Sequence, residues 1–439
     1  MSLFKFCQMC GQQISSKTIF DTGAQRTVKW MCLGGHSGMW KSSPDVRRMA
    51  EVNLLSAAAV LFRGGTYTEL SDWCQTMGVQ MIGKTTFYNI KKTYLQPAIE
   101  HVYMEQRKVL LAEVYLKQED GKKQGLNWDL LCRLRLCAYT FILDETKEIL
   151  HTELVQCTEA TSSGAMEPLG FRRGLTELLD MGLDVEMMAT DRSTSIQKIM
   201  REDYPEVKHE FDIWHTAKVI ALLRIFSFTQ ALQNRWNFIP HHVINEHQWT
   251  DGDGKRHRCD HAPLTALEQK KRIWMKKDSF QDLSSLVIDT WLLKDLQKMA
   301  LFKHTGPLEI FHSALLKYLP KRQAFSYEGM RERGYLAVLE HNENIVVREQ
   351  ATTGTGEPRF RQVYCKKSKQ WILKKIYNPH TTNFITTLIK KVREDRLNPT
   401  IKFKDPTSST LPQPALPPNI APVPKPPKEA AITLFQSRF

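Results

Sequence analysis

Long apolar runs are missing from this 439-residue chain. The longest mostly apolar stretch, residues 54–62, falls far short of the ~20 residues that a bilayer crossing takes, so a membrane-spanning protein is not expected. The first residues, Met1-Ser2-Leu3-Phe4-Lys5-Phe6-Cys7, lack the apolar core of a secretory signal, and secretion is not expected either. Nine cysteines are too few and too scattered for a disulfide scaffold, and their odd number leaves one unpaired. A reducing compartment suits them better. No internal repeat is present.

What the chain does have is a core-forming composition, 42% hydrophobic and 25% charged, and a surplus of positive charge. Sixty-one Lys and Arg stand against 47 Asp and Glu, a net charge of +14 that points to a polyanionic partner, with nucleic acid ahead of mere solubility.

Changes in hydrophobic period divide the chain. Residues 1–45 read as a small, loop-rich module. Residues 46–118 read as helical, with a helix ended by Gly64-Gly65, a short one from about 68 to Gly78, and a long one over about 85–115 kinked at Pro97. From 119 to 395 the pattern is α/β. A hairpin pairs residues 139–143 with 148–155 across Asp144-Glu145-Thr146-Lys147, a helix covers about 166–181, and short strands cover 185–189 and 207–213. Helices dominate residues 216–318, including an insertion over about 216–300, broken by a polar loop at 250–254. Two β-like runs at 360–364 and 371–377 precede a last helix near 382–395. Residues 396–439 read as a disordered tail, since 406–427 holds nine of the chain's 20 prolines.

The sharpest motif is Cys7-x2-Cys10 followed by Cys32-x3-His36. Two close pairs of soft or borderline ligands suit a tetrahedral, structural Zn2+ site, and such a site explains how a segment of roughly 40 residues with few large apolar side chains folds. Cys259-x-His261, with His241, His242, His247 and His257 nearby, has poorer spacing, and a polar, His-rich loop is preferred to a metal site there. The second and third helices have helix-turn-helix proportions, with Lys84, Thr85, Thr86, Tyr88, Lys91 and Lys92 where phosphate or base contacts fall. A solvated helix face is the plain alternative. Asp191 follows a strand, Asp212 ends another, and Glu309 follows the helix start Gly306-Pro307, sharing a face with His312 at i, i+3. Carboxylates gathered from two strand ends and a helix are what two Mg2+ or Mn2+ ions need for phosphoryl transfer. Taken singly, each acid reads as a cap or surface residue.

Read together, Thr85-Thr86-Phe87-Tyr88, Thr190-Asp191-Arg192, Phe211-Asp212-x-Trp214-His215, Thr305-Gly306-x-Leu308-Glu309-x2-His312-Ser313 and Lys317-Tyr318-x-Pro320-Lys321-Arg322-x2-Phe325-Ser326-Tyr327 form an ordered string over residues 7–344. The string resembles transposase-derived proteins related to cut-and-paste DNA transposases of the Kolobok and P-element type. The resemblance implies an RNase-H-like mixed sheet with flanking helices and a helical insertion, preceded by a zinc module and a helical DNA-binding segment. It makes Asp191 the second and Glu309 the third acid of a DDE triad on Mg2+ or Mn2+, with Asp212 and His215 auxiliary to metal or DNA. The family's Gly-Asp-Gly-Arg-like strand is absent, and Asp129 is the sole nearby stand-in for the first acid. The expectation is therefore a degenerate or domesticated DDE transposase in the nucleus, bound to DNA and open to homo-oligomer formation. The alternative is a non-catalytic nuclear zinc-finger protein that binds DNA or chromatin.

Overall fold

The computed structural model describes residues 4–133, 136–212, 236, 238–250, 254–259, 265, 277–299, 301, 303, 305–345, 350–366, 369–404 and 426–433. They build an α/β protein of mixed helices and strands, in which no described helix is long and apolar enough to cross a membrane.

The N-terminal module is an antiparallel sheet of β1 (Ile14–Thr22), β2 (Gln25–Cys32) and β3 (Ser37–Lys41), in that order. Gly23 turns the first hairpin at φ 62°, and a Cβ there would strike the Asn53 amide, which bonds Thr22 and Ala24. Almost all of β1 is exposed, so little apolar burial holds this sheet. A two-residue pair, β4 (Asp45–Val46) and β5 (Met49–Ala50), leads into the helices.

Helix α1 (Glu51–Phe62) buries Leu54, Ala57, Ala58, Leu61 and Phe62. Thr66 and Glu69 form a capping box on α2 (Tyr67–Met77), and Gly78 closes it in the left-handed conformation. The long helix expected over 85–115, with a kink or break at Pro97, runs over residues 84–119 and carries a π turn just before that proline. After α3 (Lys84–Ile90) the chain makes a π-helical turn, Lys91–Leu95, in which the Gln96 amide reaches back to the Lys91 carbonyl. Pro97, which has no amide hydrogen to give, then falls in the first turn of α4 (Gln96–Glu119), where none is required.

Next come β6 (Gln124–Arg133), β7 (Leu136–Leu143), β8 (Ile149–Gln156), α5 (Ser163–Asp180), β9 (Val185–Thr190), α6 (Thr194–Glu202) and β10 (Lys208–Phe211). The strands form one sheet in the order β10-β9-β6-β7-β8, with β6 central, β9 and β10 parallel to it, and β7 antiparallel to its neighbours β6 and β8. One face carries Leu126, Trp128, Tyr139 and Phe141 against Phe171, Leu175 and Leu178 of α5 and Ile196 and Ile199 of α6. The contact is close enough that a Cβ at Gly170 or Gly174 would stand 2.3 Å from the Tyr139 or Phe141 ring. Ile142 and Ile149 join the helical core on the other side.

Beyond β10 lie α7 (Ile239–Val243), β11 (Gln248–Thr250), β12 (Arg256–Arg258), α8 (Lys277–Val287), α9 (Thr290–Gln297), α10 (Gly306–Leu315) and α11 (Tyr327–Ile345). The polar loop expected at 250–254 joins the strands of a small hairpin rather than two helices. His215, with all of residues 213–235, lies outside the described residues. Helix α11 was not anticipated, yet it is buried along most of its length and packs with α1, α4 and α10 in one core. Its Arg333 guanidinium donates to the carbonyls of Gly64, Gly65 and Tyr318 at 2.6–2.9 Å, tying the end of α1 to α11. The hairpin of β13 (Phe360–Cys365) and β14 (Gln370–Lys375), helix α12 (Asn383–Leu397) and the short α13 (Lys428–Thr433) complete the described chain. Most of the Pro-rich stretch lies outside it.

Candidate metal centre and acidic face

Cys7 and Cys10 approach from the turn before β1, Cys32 from the end of β2, and His36 from the turn into β3. Their four ligand atoms all lie within 4.8 Å of one another. Cys10 Sγ is 3.7 Å from Cys32 Sγ, and Cys32 Sγ is 3.7 Å from His36 Nδ1. Two sulfurs at about 2.3 Å from a tetrahedral ion stand about 3.8 Å apart, so the donor set fits a metal ion such as zinc. Burial raises the Cys7 thiol, but the Met9 and Cys10 amides outweigh it and hold its pKa below the ordinary value, which favours the thiolate a metal needs.

Asp129 lies on the sheet face opposite Trp128. Asp129 pairs with Thr140 across β6 and β7, in the middle of the central strand. Asn127 pairs with Ala189 of β9, so Asp129 and Asp191 each lie two residues beyond that pair on neighbouring parallel strands. Asp191 reaches Glu167 of α5, whose pKa is raised first by burial and then by the Asp191 carboxylate. Helix α10 covers β6 from this side. His312 Nδ1 stands 3.6 Å from Asp129 Oδ2, and His312 Nε2 stands 3.4 Å from Thr140 Oγ1. Burial pushes the His312 pKa down to about 4, so the ring is neutral at pH 7 and its contact with Asp129 is not an ion pair. Glu309 lies one turn before His312 on the same helix and is exposed.

Asp212, read from the resemblance as a holder of metal or DNA, is buried. Its Oδ2 accepts from the Thr305 amide at 3.2 Å and the Thr305 hydroxyl at 2.5 Å. Thr305 precedes α10, so Asp212 fixes the start of the helix that carries Glu309 and His312. Asp144, in the β7–β8 turn, pairs with Lys147 and Lys303 and accepts from Asn127 at 3.1 Å. Burial opposes its charge, but these partners win and hold its pKa at about 2. Sequence reading missed Glu167, Lys303 and Thr305. Of these, only Thr305, a hydroxyl residue just before Gly306-Pro307, carried a signal, that of a helix start.

Of the residues expected to meet DNA, Lys84 and Thr85 are exposed at the first turn of α3, Thr86 is half-buried, and Lys92 is exposed. Lys91 is a correction. The π turn swings its ammonium inward to pair with Glu332 of α11, which burial makes costly to leave unpaired. A second basic surface, β13–β14, was not singled out as a site. Phe360, Tyr364, Trp371 and Leu373 share one exposed face of it, and residues 358–378 contain Arg359, Arg361, Lys366, Lys369, Lys374 and Lys375 with no Asp or Glu. No protein-family model matches the chain, and no curated protein matches it.

Proposed function

We propose that this chain is a transposase-like, DNA-binding nuclear protein of DDE ancestry, with a zinc-stabilised N-terminal module and an RNase-H-like body. A mixed sheet with helices on both faces and β6 at its centre supports the fold reading. The observation that carries the functional reading is the pair Asn127–Ala189, two residues before Asp129 on β6 and two before Asp191 just past β9, with His312 of the helix that bears Glu309 standing 3.6 Å from Asp129. On this reading Asp129 would stand in for the first acid. Divalent ions bound there would activate water and stabilise a leaving 3′ oxygen. Asp129, Asp191 and Glu309 would supply oxygen ligands, Asp212 would hold α10 in place, and neutral His312 would keep the Asp129 carboxylate turned toward the site.

The test is nicking of a supercoiled plasmid by the full chain in Mn2+ at low salt. The expected result is nicking by the wild type, its loss in Asp191→Asn and Glu309→Gln, and unchanged DNA binding in both. Nicking that persists in both variants removes the catalytic reading, and absence of DNA affinity at low salt removes the whole proposal. A second reading, a chromatin- or DNA-binding protein without chemistry, is favoured by the acid-free aromatic ribbon β13–β14, which can grip a nucleic acid unaided. DNA binding with a steep salt dependence and no nicking would select it.

A further inference from the structure

Besides the Cys7 cluster, two sets of ligand atoms among the described residues lie within 4.8 Å of one another: His151 with Glu153 and Glu177, and His242 with His247 and Cys259. The first is already neutralised within the protein. Arg107 lies 3.0 Å from Glu177 and Arg173 2.8 Å from Glu153, so a cation would have to displace two guanidinium groups. The second joins two imidazoles to a thiol, which is the chemistry of a soft-metal site.

We infer that His242, His247 and Cys259 bind a second zinc-type ion, which staples the small hairpin inserted between β10 and α10. The hairpin ladder creates the site. Gln248 pairs with Arg258, and the Cys259 amide donates to the His247 carbonyl at 3.0 Å, so His247 and Cys259 are the next cross-strand pair at its open end. His242 enters from α7, and its Nδ1 stands 3.6 Å from Cys259 Sγ. A nitrogen at about 2.05 Å and a sulfur at about 2.3 Å from one tetrahedral ion are separated by about 3.6 Å.

The neighbouring side chains sort the histidines. His247 Nε2 lies 3.0 Å from Asn245 Oδ1, a contact that orients the ring as an outer partner of a metal-bound imidazole does. Asn245 is held for this in the left-handed conformation, φ 66°. His241 pairs with Glu246 at 2.5 Å and stacks on Trp249 at 4.4 Å, while His257, the cross-strand partner of Trp249, stacks on the same ring at 5.8 Å. Neither of these is in the metal set. His261, which the sequence placed near this group, lies outside the described residues.

Two three-residue strands and a five-residue helix need such a staple. Trp249 is the one side chain of β11 and β12 that is buried, and an isolated hairpin of this size is marginal in water. A nitrogen-rich site with one thiolate selects a zinc-type ion over Mg2+ or Ca2+, which take oxygen ligands.

The experiment is zinc counting on the purified full chain, with circular dichroism to check folding. Two zinc ions per chain are expected, falling to one in Cys259→Ser. Cys259→His keeps three ligands, so the Co2+-loaded form of that variant should hold two ions but lose the part of its thiolate-to-cobalt absorption that Cys259 supplies. One zinc per wild-type chain, or absorption unchanged by Cys259→His, would overturn the inference. The count does not depend on any DNA activity, so its failure and that of the transposase-like reading are separable.

Discussion

The two faces of the five-stranded sheet are made by alternate residues of the same strands, yet they do different work. On β6, Leu126 and Trp128 point into a fully buried apolar layer, while Asn127 and Asp129 point to polar and charged neighbours. The first face is closed by helices that follow directly in sequence, α5 and α6. The second, around β6, is covered by α10, which arrives about a hundred residues later. Local sequence therefore secures the apolar face, and the polar face depends on a long-range contact. On β6 itself, apolar burial is concentrated on one side, and Asn127 and Asp129 lie on the other.

Single substitutions on neighbouring residues should separate these roles. Trp128→Ala should cost the most, about 3–5 kcal/mol in denaturant unfolding, because the indole is fully buried and packs edge-on to Phe171 at 4.9 Å. Asp129→Asn, one position on, should leave unfolding within about 1 kcal/mol of wild type but cut Mn2+-dependent nicking at least ~100-fold. Equal destabilisation by both would erase the distinction between the faces. Asp212→Ala should fall between them, costing about 2 kcal/mol through two lost bonds to Thr305 and lowering nicking as α10 loosens.

The apolar face also holds an ionisable group. His209 is on β10 opposite Met188, and burial, with Lys298 adding to it, pushes its pKa down to about 3. The unfolded chain takes up this proton first as pH falls through about 6.5. Stability should therefore decline from there down to about pH 3, by up to ~1.4 kcal/mol per unit, and His209→Gln should flatten that slope in melts at pH 7 and 5. The smallest effect on folding is expected at Trp371, 69% exposed where Trp128 is fully buried. Trp371→Ala should move stability by no more than about 0.5 kcal/mol while weakening single-stranded DNA binding by ~1 kcal/mol or more.

Much of this was legible where local chemistry decides. Thr66 with Glu69 and the closing Gly78 delimit α2, the alternation around Asp144 to Lys147 gives the β7–β8 hairpin, and the Cys/His spacing brings together the first metal centre. Strand β6 was obscured by comparison with a family motif it lacks, although Leu126 and Trp128 alternate with Asn127 and Asp129 as a strand requires. Helix α11 hid for the opposite reason. Met330, Glu332, Arg333, Tyr335, Leu336 and Leu339 are all buried, so it shows no polar stripe to betray its period. The inward turn of Lys91 was beyond sequence reading, because it depends on a π turn and on a glutamate 241 positions away, 332 minus 91.

The bond from Asp212 to Thr305 joins residues 93 apart. It acts as a clasp at the neck of everything between them. With the neck closed, the intervening stretch can lengthen, shrink or change sequence between related chains without transmitting the change to Glu309, because loop-closure entropy grows only slowly with length. Such a fastening sets the start of α10, and with it the position of Glu309 and His312, at the neck of the insert.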